Sequence, residues 1–168
     1  LHTIGIKNVV ATMGTAITKK HAELIMRLSK NVILCFDGDK AGEKATLSCL
    51  EELEKIGLSP KIIRLEDNLD PDDYILKKGK DLFLNHLKNA SDKLSFLMEI
   101  NKNKTDFNNY NEISSYIKTI VKELEKIDDK IVFELTLKKL SKETGVDEDT
   151  IKGLIKKVPK DKVINYSK

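Results

Sequence analysis

Asp37-Gly38-Asp39 closes a purely apolar run, Val32-Ile33-Leu34-Cys35-Phe36. Residues i and i+2 of an extended segment point to one side, so both carboxylates can reach a single cation. Gly38 places no side chain between them and lets a ligand approach the backbone. In open α/β sheets ligands gather beyond the carboxyl ends of strands, which is where this pair falls. A second acidic cluster, Asp70-Pro71-Asp72-Asp73, follows the next strand-like run. Asp70 before Pro71 is also a good helix N-cap, and acids in a first turn suit the helix dipole. Capping needs only one or two of these acids, so at least one carboxylate is left for other work. Four clustered carboxylates repel unless a cation or basic side chains neutralise them. Mg²⁺ is held by one or two protein carboxylates plus waters and substrate phosphates, and a pair of such ions can clamp both oxygens of a phosphoryl transfer.

The bland reading of Asp37-Gly38 is a turn after a strand. The second aspartate, the apolar strand before it and the small residues Ala41-Gly42 after it favour a site. Gly14-Thr15 could offer backbone N–H groups to a phosphate, although a lone glycine loop is a weak signal and an ordinary turn is the better reading. His2, His21 and His86 stand apart from one another, and no serine or cysteine has the setting of a nucleophile.

The elements that must position these residues alternate through the first half. Ile6–Ala11 reads as a strand, Thr18 as the cap of a helix with Ala22, Ile25, Met26 and Leu28 on its inner face. Val32–Phe36 reads as a strand buried on both faces. A helix over 41–56 ends at Gly57, Lys61–Leu65 is the next strand, and two short helices follow Pro71 and Gly79. Repeated βα units predict a parallel sheet with right-handed crossovers. The second half carries no strand signal. Asn101–Asn111 reads as a polar linker, followed by a helix with Ile113, Tyr116, Ile117, Ile120, Val121, Leu124 and Ile127. A second helix, capped by Asp128, runs to Gly145, and a third starts at Asp147. The predicted organisation is therefore an α/β domain over 1–90, an all-α bundle over 91–158 and a tail over 159–168.

Composition narrows the field less than the motifs do. Net charge is +3, nearly even along the chain, and gives no electrostatic footprint for nucleic acid. No apolar stretch approaches the ~20 residues that span a bilayer, and no secretory leader is visible, which predicts a cytoplasmic protein without membrane contact. Cys35 and Cys49 lack neighbouring Cys or His at zinc spacing and read as reduced, buried thiols. The turn around Gly145 has helix-turn-helix spacing, but its second helix would meet phosphates with Asp147, Glu148 and Asp149, so a plain helix hairpin is the better reading. Leu1 in place of Met, in a segment like a helix tail closed by Gly5, predicts a piece of a longer protein.

Gly5-Ile6-Lys7-Asn8-Val9-Val10-Ala11-Thr12-Met13-Gly14-Thr15-Ala16, Ile33–Gly42 and Asp70-Pro71-Asp72-Asp73-Tyr74-Ile75 together resemble the bacterial replicative DNA primases of the DnaG type. Order and spacing are similar to the C-terminal part of the family's Toprim domain, and the helices resemble the bundle that ends its polymerase core. The resemblance implies Asp37 and Asp39 as catalytic residues, and Asp37, Asp39, Asp70 and Asp72 as ligands of Mg²⁺ or Mn²⁺. It implies a nucleotide held near Gly14, Thr15 and Lys40. It further implies synthesis of RNA primers from ribonucleoside triphosphates on a single-stranded DNA template at a bacterial, nucleoid-associated replisome. The family's catalytic glutamate is expected just upstream of Leu1. Zinc-binding and helicase-binding domains are expected outside this chain, so the piece alone is expected to be inactive. Two other classes stay open at this point: another Toprim phosphoryl-transfer enzyme, nuclease- or topoisomerase-like, and a non-catalytic helical docking module. A phosphatase built on Asp37 is disfavoured by Lys40-Ala41 where a hydroxyl residue is wanted.

Overall fold

The computed structural model describes residues 1–12 and 17–156. The chain divides into two compact units, Leu1–Phe96 and Leu97–Lys168, a little beyond the change of pattern at 90/91.

In the first unit, α1 (Lys19–Leu28) precedes β1 (Ile33–Cys35), α2 (Lys40–Glu54), β2 (Lys61–Ile63), α3 (Pro71–Lys78) and α4 (Lys80–Lys88). The strands are parallel, with Ile33, Leu34 and Cys35 opposite Lys61, Ile62 and Ile63. Two parallel strands need a crossover, and α2 is that crossover. Its buried positions, Gly42, Ala45, Thr46, Cys49, Leu50 and Leu53, repeat at helical spacing. On the other edge of β2, Ile62 exchanges both backbone hydrogen bonds with Ser91, at 2.8 and 2.9 Å. Ile63, Leu65, Leu69, Tyr74 and Phe83 form a core against which Leu1, Ile4, Ile6 and Cys35 also pack. Tyr74 is fully buried, and its hydroxyl meets His86 Nε2 at 2.8 Å.

Three expectations are corrected here. Ile6–Ala11 forms no strand: a one-turn 3-10 helix, His2–Ile4, ends at left-handed Gly5, and the residues after it pair with no ladder. An extended segment becomes a strand only when a neighbour accepts its hydrogen bonds. On α1, Ala22 is buried but Met26 and Leu28 are 39% and 76% exposed. Position 28 lies about 240° around the helix from position 22, so the two cannot share a face. β1 is not buried throughout either, since Ile33 is 44% exposed.

The second unit begins within α5 (Lys93–Lys102) and continues with α6 (Tyr110–Leu124), α7 (Lys130–Thr144) and α8 (Glu148–Lys152). Asp92 opens α5 by accepting from Ser95 N–H at 2.8 Å. Leu94, Phe96, Leu97, Met98 and Ile100 are all buried, so this helix has no single apolar stripe and escaped the periodicity reading. Helix α6 packs on α7 and α7 on α8. Their buried residues are Ile113, Tyr116, Ile117, Ile120, Val121 and Leu124, then Phe133, Leu137 and Leu140, then Ile151. Glu143, with 13% of its side chain exposed, accepts from Tyr116 at 2.7 Å and pairs with Lys102 at 3.1 Å. Burial and this carboxylate both push the Tyr116 phenol upward. Asp147 caps α8 through Thr150, so the acids of that turn serve the helix start, and the bond from Thr150 holds its carboxyl below the usual range.

The cap of α7 is Asp129, not Asp128: Asp129 Oδ1 accepts from Ile131 N–H at 2.9 Å and Val132 N–H at 3.1 Å. Asp129→Ala should therefore destabilise the helical unit by about 1 kcal/mol, read as a lowered urea midpoint with unchanged slope. An unchanged midpoint would show that the helix start is held by other groups.

Candidate functional site

Two loops carry the acidic residues, one after each strand. Asp39 ends the first as the N-cap of α2, its Oδ1 accepting from Gly42 N–H at 2.7 Å. Asp70 ends the second as the N-cap of α3, its Oδ1 accepting from Asp73 N–H at 2.7 Å, with Pro71 in the first turn. Each carboxylate thus has one oxygen fixed by a backbone N–H at a helix N-terminus. Asp37 and Asp72 are exposed, and among the described residues neither makes a side-chain hydrogen bond or ion pair. Asp73 pairs with Lys77 at 3.3 Å.

One backbone bond joins the loops. Gly38 N–H donates to the Leu69 carbonyl at 2.9 Å, which sets Asp37-Gly38-Asp39 beside Leu69-Asp70. The approach is so close that a Cβ on Gly38 would stand 2.5 Å from the Leu65 carbonyl oxygen and 3.3 Å from Asn68 Cα. Gly38 is therefore required by the chain's own neighbouring loop. Gly42 has an equivalent reason, since a Cβ there would overlap the Asp37 carbonyl oxygen. Gly42 thus lets α2 start directly against the loop.

Asp37, Asp39, Glu43 and Arg64 share, with Phe36, Ile63 and Phe96, a narrow recess of about 10 Å³. Arg64 and Glu43 were not singled out from the sequence. The available signal was position: Arg64 is the first residue past β2, as Phe36 is the first past β1, and Cys35 pairs with Ile63. A guanidinium among three carboxylates offsets their repulsion. Lys40 is exposed at the start of α2. Gly14 and Thr15 lie outside the described residues.

The donor set is all oxygen, which suits Mg²⁺ or Mn²⁺ rather than zinc. Among the described residues no three His, Cys, Asp or Glu side chains converge closely enough to hold a metal. An ion bound by so few protein carboxylates would have to keep waters or take substrate phosphates as its remaining ligands.

Residues 1–75 match the family described as Toprim-like, and residues 94–149 match the DnaB-helicase binding domain of primase. A DNA primase of Clostridium acetobutylicum is 34% identical over 155 residues, 92% of this chain and 26% of that protein. A DNA primase domain from Pseudomonas aeruginosa superposes with a TM-score of 0.61 at 27% identity, covering 91% of this chain and 49% of that one. A DnaG primase catalytic domain bound to ssDNA superposes at 0.62, with 26% identity over 89% of this chain and 48% of that one. Together these matches support a DnaG-type primase fragment. The chain spans about a quarter of the length of the curated DNA primases it matches, 26% and 25% for two of them. The match at 94–149 corrects one expectation: a helicase-binding segment of a primase is similar to residues inside this chain, not only to a domain beyond it. The pattern of α6 to α8 reads alike for either kind of bundle, because periodicity records a buried face and not the surface that meets a partner. Among the described residues no helix is long and apolar enough to cross a membrane.

Burial first, then the negative charge of Asp37, pushes the Cys35 thiol from 9.0 up to about 12; burial alone takes Cys49 to about 11. Both raised values favour the neutral thiol in the fold, so their contribution to stability is complete below pH 9 and falls as pH climbs toward 11 and 12. At pH 8 iodoacetamide should leave both cysteines unmodified in the folded chain and alkylate both in urea. Native alkylation of either would place its thiol in the wrong environment. Gly42→Ala should cost about 1–3 kcal/mol in urea unfolding through overpacking against Asp37, and wild-type stability in that variant would contradict the contact.

Proposed function

We propose that this chain supplies the metal-holding part of a nucleotidyltransferase that, in the whole protein, makes short RNA primers on single-stranded DNA. The observation that carries the reading is the Gly38-to-Leu69 hydrogen bond, which brings two strand-end acidic loops side by side. Asp37, Asp39, Asp70 and Asp72 would hold Mg²⁺ or Mn²⁺, with Asp37 and Asp39 closest to the chemistry. When bound, such ions lower the negative charge of a triphosphate and stabilise the oxygens at the reacting phosphorus. The chain's own part is positional. The two capped carboxylates keep fixed oxygens, the two uncapped ones adjust to the ion, and Arg64 limits their mutual repulsion. Lys40 at the start of α2, with Gly14 and Thr15, would contact the nucleotide phosphates. Template, primer strand and ribonucleotides are assigned from the family resemblance and from the solved primase domain bound to ssDNA.

Residues 94–149 would dock on a DnaB-type replicative helicase, a reading supported by the family match over that segment. The setting is the bacterial cytoplasm at the replication fork. Because the chain spans about a quarter of its relatives, activity belongs to the longer protein, and this piece alone is not expected to make primers.

Asp37→Asn in the full-length protein should reduce template-directed primer synthesis at least about a hundredfold, the scale of losing one transition-state electrostatic contact. In the 168-residue chain the same change should weaken Mn²⁺ binding, followed by electron paramagnetic resonance of the free ion. Unaltered synthesis and unaltered Mn²⁺ binding would remove the metal site.

A further inference from the structure

Asp67 and Asn68 are the two non-glycine residues with positive φ among the described residues, at 59° and 54°. Left-handed backbone is disfavoured for L-residues, and Asp and Asn are the types that tolerate it. Two in succession bend the chain sharply between β2 and α3. This bend is the segment that crosses Gly38, with Asn68 Cα 3.3 Å from the position a Gly38 Cβ would take. It closes through Leu69 N–H donating to the Glu66 carbonyl at 3.2 Å, and it presents the Leu69 carbonyl to Gly38 N–H. Leu69 is 9% exposed and anchors the end of the bend in the core. From α3, Lys78 Nζ reaches Asp67 Oδ2 at 2.7 Å, tying the bend to the helix that Asp70 opens. Nothing in the proposed chemistry uses Asp67, Asn68 or Lys78, yet the turn lies between Leu65 and Leu69, the residues that meet Gly38.

We propose that Asp67 and Asn68 are positioning residues: their paired left-handed backbone, held by Lys78, sets the spacing between Asp37-Asp39 and Asp70-Asp72 and thereby the affinity for a divalent cation. The proposal rests on the metal reading above, but its geometry has a separate readout in the Gly38 amide.

The test compares Asn68→Gly, which accepts positive φ, with Asn68→Val, whose β-branched side chain resists it. Amide exchange at Gly38 and Mn²⁺ affinity are measured in the 168-residue chain, well below its unfolding midpoint. Asn68→Val should speed Gly38 exchange and weaken Mn²⁺ binding, each by about tenfold or more, while Asn68→Gly stays within about threefold of wild type in both. Lys78→Met should shift both readouts in the direction of Asn68→Val by a smaller factor. Wild-type exchange and affinity in a folded Asn68→Val variant would overturn the proposal, as would equal losses in the Gly and Val variants. If Gly38 exchange responds as stated while neither wild type nor Asp37→Asn binds Mn²⁺, the turn is confirmed as the latch between the loops and the metal reading is what falls.

Discussion

A single backbone hydrogen bond between two loops, Gly38 N–H to the Leu69 carbonyl, decides what this site can do. Parallel strands deliver their carboxyl ends to the same side of a sheet, but they do not by themselves bring the following loops into contact. Contact requires that one loop lack a Cβ where the other crosses it, and a side chain at Gly38 would stand 2.5 Å from the Leu65 carbonyl oxygen. The same economy recurs one turn later, where Gly42 lets α2 begin against the Asp37 backbone. The two acidic loops are therefore brought side by side by main-chain geometry, and the repulsion between their carboxylates opposes that approach.

The repulsion is managed in three ways. Asp39 and Asp70 each direct one oxygen to a helix N-terminus, where a backbone N–H donates to it. Arg64 enters the recess beside Asp37 and Asp39. Asp37 and Asp72 remain exposed, so water screens them. Asp37 and Asp72 thereby keep carboxylate oxygens that no other described side chain engages.

Much of this was legible in the residues themselves. The apolar run before Asp37, the Asp70-Pro71 helix start and the Gly145 stop each encode a local preference that nothing distant overrides. The caps at Thr18, Asp70 and Asp147 appear where their side chains predict. What escaped depended on partners. Ile6–Ala11 has strand composition but no neighbour to pair with, and α5 is buried too evenly to show a stripe. Arg64 looked like an ordinary end to a strand, because only the register of β1 on β2 puts it level with the aspartate loop. Gly38 was legible as important, yet its reason, a crossing by residues 65–68, exists only in three dimensions.

The most direct test is crystallographic. Crystals of the chain equilibrated with Mn²⁺ and a ribonucleoside triphosphate should show an anomalous peak about 2.0–2.3 Å from carboxylate oxygens of both loops, one from Asp37 or Asp39 and one from Asp70 or Asp72. A peak held by a single loop, or none beside Asp37, would contradict the shared acidic centre.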